Sequence, residues 1–316
     1  MCIRDSGYFP NVTHATAVYG VAEGVFAEAL GDGTALSTQV FNAGPAAVEA
    51  LFAGALDATY IGPNPAVNAF LRSQGEAVRI VAGAASGGAS LVVRPGLTDV
   101  AQLRGTTIAT PQTGGTQDIA LRHFLAEAGY EVDERGAGDV TVLAQENAQT
   151  LQTFQAGQVD GAWVPEPWAS RLVLEGGGTV LVDERDLWPD GQFVTTHLVV
   201  RTDYLEQHPQ TVRALVEGSV ESNRRIAADP AAAREAVNTA LGELTGASLA
   251  PAVLERAFAQ LELTDDPVAP SLRTAAEHAF ATGLVAEGDL TGIYDLRALS
   301  EVLGREVDDA GLGPQG

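Results

Sequence analysis

The chain has 316 residues, 46% of them hydrophobic, with 41 acidic and 18 basic side chains and a net charge of −23. That length is enough for two ordinary cores, and the acidic balance argues against nucleic acid or an anionic membrane as a partner. All basic residues are arginine, and a single cysteine (Cys2) excludes an internal disulfide and a cysteine-type metal site; the five histidines have no metal-site spacing, and no apolar run reaches the ~20 residues of a membrane span.

Residues 1–6, MCIRDS, have neither strand nor signal-peptide character. They are expected to be a non-native artefact in place of a lost N-terminus, and the patterned protein is expected to begin at Gly7. Residues 7–14 read as a strand end and a polar loop, and 15–30 as one amphipathic helix. Strands follow at 35–41, 58–61, 78–84 and 89–94, separated by helices at 46–53 and 66–73. Alternation of this kind predicts a parallel sheet with helices on both faces, and in such sheets the ligand lies beyond the carboxyl ends of the strands. Polar or Gly/Pro-containing loops recur at those ends: 11–14, 42–44, 62–64 and 86–88.

The stretch 106–129, TTIATPQTGGTQDIALRHFLAEAG, is a strand, a glycine-containing loop and a helix closed by Gly129. A helix start offers unpaired N–H groups and the positive end of the macrodipole, so the loop is a potential seat for a small oxyanion. It lacks the lysine of a P-loop and the spacing of a dinucleotide fingerprint. The same residues also fit a plain turn with Thr116 as N-cap, and Asp118 sets a negative charge in the first helical turn. Beyond it, strands are expected at 139–143, 161–164 and 180–182, and helices at 148–156 and 169–175.

SLVVR at 90–94 is echoed by HLVVR at 197–201. Two such strands bracketing the second block suggest a middle domain inserted into a first one. The expected division is 7–94 plus 198–316 for lobe 1 and 95–197 for lobe 2. The remainder reads as helices at 209–228, 230–241, 250–261 and 271–287 that pack back on the first lobe.

The segments GYFPNVTHA (7–15), FNAGPAAVEALFAGALDATYIGPNPA (41–66), AGAASGGASLVVR (82–94), ATPQTGGTQDIALR (109–122), DGAWVPEPWASRLVLEGG (160–177) and WPDGQFVTTHLVVR (188–201) together resemble the substrate-binding components of ABC importers for nitrate, sulfonate and taurine, above all the aliphatic-sulfonate branch. The resemblance runs from Gly7 to about residue 287. It implies the α/β periplasmic binding protein fold of type II, with two α/β lobes joined by two crossover strands around a ligand cleft. It also implies an extracytoplasmic location, a permease with its ATPase as partner, no cofactor and a monomer. Relatives of the same fold make a thiamine pyrimidine or act in menaquinone synthesis. The absence of lysine, and of cysteine beyond Cys2, leaves the pyridoxal-dependent thiamine route without its cofactor anchor, and no nucleophile–base pair marks an enzyme site.

On this resemblance the first lobe is expected to present Asn11, His14, Gly44, Asn64, Ser86 and Gly87 to the ligand. The second is expected to present Thr113, Gly115, Thr116, Gln117, Glu166 and Trp168, with His197 at the return crossover. Neutral donors suffice for a sulfonate, which has three acceptor oxygens and no proton to give. Glu166 would repel an anion unless the ligand also carries an amine, as taurine does, so the expected ligand is small and anionic or zwitterionic. Trp168 either walls an alkyl group or packs the lobe, Trp163 reads as core, and His14 and His197 fit neutral donors or structural histidines equally.

Overall fold

The computed structural model, which describes residues 2–314, shows the strands β1 (Cys2–Tyr8), β2 (Ala35–Val40), β3 (Ala58–Ile61), β4 (Val78–Gly87), β5 (Ala89–Val93), β6 (Thr107–Thr110), β7 (Thr141–Ala144), β8 (Gly161–Pro165), β9 (Thr179–Asp183), β10 (Val194–Arg201) and β11 (Leu261–Leu263). They form two sheets, in the orders β11-β4-β10-β3-β1-β2 and β7-β6-β8-β5-β9. The strands that lead into helices pair in parallel, β1 with β2 and β3, and β6 with β7 and β8. Two strands run against them: β10 lies antiparallel between β3 and β4, and β5 lies antiparallel between β8 and β9. Both sheets are therefore mixed, where the alternation predicts parallel ones. A strand that arrives from the other lobe is not returned by a crossover helix, so nothing obliges it to run parallel.

The echoed strands belong to different sheets. The chain leaves the first sheet after β4 and enters the second directly with β5; it returns between β9 and β10. The Leu-Val-Val at the centre of each echo, 91–93 and 198–200, is apolar because it is buried on both faces of its strand. In the second sheet Leu91, Val93 and Trp163 pack into one core and Val92, Ala162 and Val164 into the other, as the two-residue period of a strand requires. The first sheet and the C-terminal helices share a larger core that includes Ile80, Val199, Leu215, Leu272 and Tyr294.

Three expectations are corrected. Residues 2–8 form a strand, paired from Cys2 opposite Ala35 onward with an irregularity between Ile3 and Ser6. Sheet pairing uses backbone groups, so a segment with little apolar alternation still joins. The helix expected over 15–30 is two, Ala15–Ala22 and Val25–Leu30, parted by Gly24 in the left-handed region at φ 71°. The helix expected to run through 261 stops at Ala259, and Leu261–Leu263 edges the first sheet beside β4.

Candidate functional site

The loops after β1, β2, β3, β6 and β7 meet around one cavity of about 40 Å3 between the sheets. Phe9, Asn11, Thr13 and His14 enter from the loop after β1; Asn42, Ala43 and Gly44 from that after β2; Gly62 and Pro65 from that after β3. The second lobe adds Pro111, Gly115, Thr116, Gln117, Asn147 and Pro165. Thr195 and Thr196 complete the wall from the start of β10. Because β10 is antiparallel, its first residues reach the edge where the parallel strands end. A water needs roughly 10–15 Å3 of such space, so the cavity is the size of an oxyanion head.

The lining carries no formal charge at neutral pH and mixes polar side chains with Phe9, Ala43 and prolines. The helices Gly44–Phe52, Thr116–Glu127 and Asn147–Gln155 all begin at its wall, and the caps Ala43, Gly115 and Glu146 make no side-chain bond to the first turns. Their leading N–H groups are thus available to an acceptor, with the helix dipoles adding positive potential. His14 is fully buried, and burial pushes its pKa down to about 3. Its Nδ1 accepts the Phe9 N–H at 3.3 Å, so the neutral ring carries its proton on Nε2. Among the described residues, the Thr196 hydroxyl and the Asn147 side-chain oxygen are buried in this wall without a hydrogen-bond partner. Buried polar groups are normally satisfied, so two orphans in one wall point to a ligand.

Asp118 does not spoil this field. Its carboxylate accepts from Thr110 Oγ1, from the Gly114 N–H and from Arg122 Nε, each at 2.9 Å. Arg122 in turn donates to the Asp133 carbonyl at 2.7 Å. The pair is buried, at 0% and 6% side-chain exposure, so the charge is compensated on the spot and ties strand, glycine loop and helix together.

The lobes touch across the cavity. Trp168 Nε1 donates to Asn11 Oδ1 at 2.9 Å, and Asn42 Nδ2 donates to Glu146 Oε1 at 2.9 Å. A methyl group at Gly62 would overlap Thr116 Oγ1, so a glycine here lets the second lobe come this close.

A model of the NMT1-like family matches residues 5–241. The chain belongs to the NMT1-like family. A putative binding protein of Brucella abortus (strain 2308) is 28% identical over 180 residues, 57% of this chain and 53% of that protein. The taurine-binding periplasmic protein of Escherichia coli (strain K12) is 26% identical over 199 residues, 63% of this chain and 59% of that protein. The match thus spans little more than half the length of these curated relatives. Among solved structures, the alkanesulfonate-binding protein SsuA of Xanthomonas axonopodis pv. citri, bound to MOPS, matches with a TM-score of 0.71 at 23% identity, over 90% of this chain and 94% of that one. That likeness carries the fold, the two-lobed architecture of periplasmic binding proteins.

Of the residues expected at the site, this NMT1-like chain gathers Asn11, His14, Gly44, Gly115, Thr116 and Gln117 around the cavity. The others lie elsewhere. Thr113 is exposed on the loop, and Asn64 turns away to donate to the Ala275 carbonyl at 2.9 Å. Ser86 and Gly87 are held in β4, where the Gly87 N–H donates to the Phe193 carbonyl at 3.2 Å and its own carbonyl accepts from Thr195 Oγ1. Glu166 lies outside the cavity wall: its oxygens accept the N–H and hydroxyl of Ser170 at 3.1 and 3.0 Å, closing the first turn of the Trp168–Leu174 helix. Trp168 acts at the seam, outside the cavity wall. His197 lies one residue past Thr196, beyond a register shift in the pairing with β4, and outside the cavity wall; its Nε2 donates to the Pro267 carbonyl at 3.1 Å, and its ring meets Tyr294 edge-on. Thr13 and Asn42 lie in the expected loops 11–14 and 42–44 without being singled out there, and Asn147, Thr195 and Thr196 are additions of the structure. Asn42 and Asn147 had a signal available, as polar residues two and three positions past the ends of β2 and β7; the two β10 threonines had none, because their position depends on strand direction.

Two buried carboxyls set the pH response of the NMT1-like fold. Burial raises both Glu166 and Glu184 to about 7, and Glu184 Oε2 accepts Trp163 Nε1 at 2.7 Å. A carboxyl raised from its unfolded value of 4.5 favours folding below that value, and the advantage is lost as pH rises through about 7. His14 and His197, lowered by burial to about 3 and about 4, act with the opposite sign: their contribution is present above about 6.5 and is lost as pH falls. The melting temperature should therefore peak near pH 6. Glu184→Gln should recover up to about 3 kcal/mol at pH 8, visible by scanning calorimetry; equal alkaline loss in parent and variant would contradict the assignment.

Proposed function

We propose that this protein is the extracytoplasmic solute-binding component of an ABC importer, closing its lobes on a small oxyanion such as an aliphatic sulfonate or taurine and delivering it to a permease with its ATPase. The observation that carries the reading is the uncharged cavity with its orphaned Thr196 hydroxyl, walled by three helix starts. An acceptor-only anion is held by N–H and O–H donors without a counter-charge, and release then needs no ion pair to be broken. The relatives named for taurine and alkanesulfonate binding support the same class. No helix among the described residues is long and apolar enough to cross a membrane.

Thermal shift with methanesulfonate, taurine, nitrate and bicarbonate tests the reading. A ligand at ~100 times its dissociation constant stabilises by roughly 2.7 kcal/mol; no shift from any of the four at millimolar concentration would refute it. Closure makes a second demand. Trp168→Phe keeps the ring and removes the bond to Asn11, so binding should weaken about five-fold, the worth of roughly 1 kcal/mol for one hydrogen bond. Calorimetry with the best of the four ligands reads this, and unaltered affinity would show that the bond plays no part in closure.

A further inference from the structure

A second contact across the lobes lies away from the ligand cavity. His123, on the Thr116–Glu127 helix, stacks on His278 of the Ala269–Ala281 helix with ring centroids 3.6 Å apart and planes 14° from parallel. The first helix sends Leu121 and Leu125 into a core of the second lobe, and the other sends Leu272, Ala276 and Ala279 into the core of the first. The two rings therefore join bodies that separate when the lobes open. They wall a seam cavity of about 480 Å3 shared with Phe124, Glu127, Glu184 and Trp188, none of which touches the ligand cavity. Trp188 leans on His278 at 5.4 Å and stacks on Phe193 at 5.3 Å, fixing the ring from behind.

We propose that His123 and His278 form a closure clasp that holds the two lobes together only while both rings are neutral, so that acidification opens the cleft and releases the ligand. Two imidazolium rings at stacking distance repel each other, whereas two neutral rings attract. The charged groups around the pair do not cancel this. Glu127, one turn along the same helix, raises His123, but burial outweighs it and keeps His123 below its ordinary value. Glu184, from the segment after β9, is bound to Trp163 and raised to about 7 by burial. In the neighbouring cavity that His123 also borders, Arg122 is paired with Asp118, while Glu131 and Asp133 stand at the rim. His278 is pushed down to about 4 by burial and by His123.

The sign follows. With the lobes apart, the rings titrate near the ordinary histidine value of about 6.5; with the lobes closed, His278 binds a proton only near 4. Between those values opening takes up protons, so acid favours the open form. For His278 alone, closure should weaken roughly ten-fold between pH 7.5 and pH 5.5.

The test uses the full chain. Small-angle scattering of ligand-free protein at pH 7.5 and 5.5 should show the radius of gyration growing in acid for the parent and staying constant for His278→Phe, which keeps the stack without a proton. His123→Phe should behave likewise. Calorimetry with methanesulfonate should show the roughly ten-fold acid loss of affinity shrinking in both variants to whatever His14 contributes in all three proteins. Acid expansion of the phenylalanine variants equal to the parent's would overturn the clasp. The affinity arm rests on the ligand reading above, and the scattering arm does not. If methanesulfonate fails to bind, that reading alone suffers and the scattering result decides the clasp.

Discussion

Replacing Asp118 by alanine should lower the unfolding free energy by about 3–5 kcal/mol, the cost of removing one partner from a buried ion pair. The carboxylate holds Thr110 at the end of β6, Gly114 in the loop and Arg122 on the helix, and both partners are almost wholly out of solvent. Alanine leaves the Arg122 guanidinium buried beside an unmet Gly114 N–H. A denaturant midpoint measures the loss. The double variant Asp118→Leu/Arg122→Met should be far less damaged, because it removes both charges and fills their volume. An unchanged midpoint for Asp118→Ala would mean that the glycine loop is held by something other than this pair. The consequence reaches the ligand: the loop that slackens is the one that seats Gly115, Thr116 and Gln117 in the cavity wall.

Thr196→Val should weaken binding of the best oxyanion about ten- to a hundred-fold, the range for a hydrogen bond to a charged group. It should leave the ligand-free melting temperature unchanged or slightly higher. The two readouts diverge because the hydroxyl is completely buried and makes no bond among the described residues. Valine keeps its shape and removes an unsatisfied group. A residue of purely structural value would lose stability and affinity together. Parent-like affinity by calorimetry would place the ligand away from this wall and refute the cavity as the binding site.

The glycine loop and helix at 111–128 were legible because they join local signals, a turn composition followed by a 3.6-residue period. Asn11, His14 and Gly44 were legible as loop residues after strands whose carboxyl ends converge. Glu166 misled for a specific reason: a carboxylate near a cleft reads as ligand chemistry, while its actual partner, Ser170, lies four residues on and is recognised only once the helix start is built. His197 lies one residue beyond the cavity wall, past a register shift in the β10–β4 pairing, and an irregularity of that kind is visible only in the assembled sheet.

What the sequence determined by itself was the order of strands and helices and the edge at which a ligand would be met, because both follow from periodicity and turn chemistry within a few residues. Tertiary structure alone decided that β10 enters antiparallel and brings Thr196 to that edge, and that Trp168 and His123 reach Asn11 and His278 across the seam. The last two pairings join side chains from separate lobes. Their geometry is set by how whole cores pack, a property no local window of residues contains.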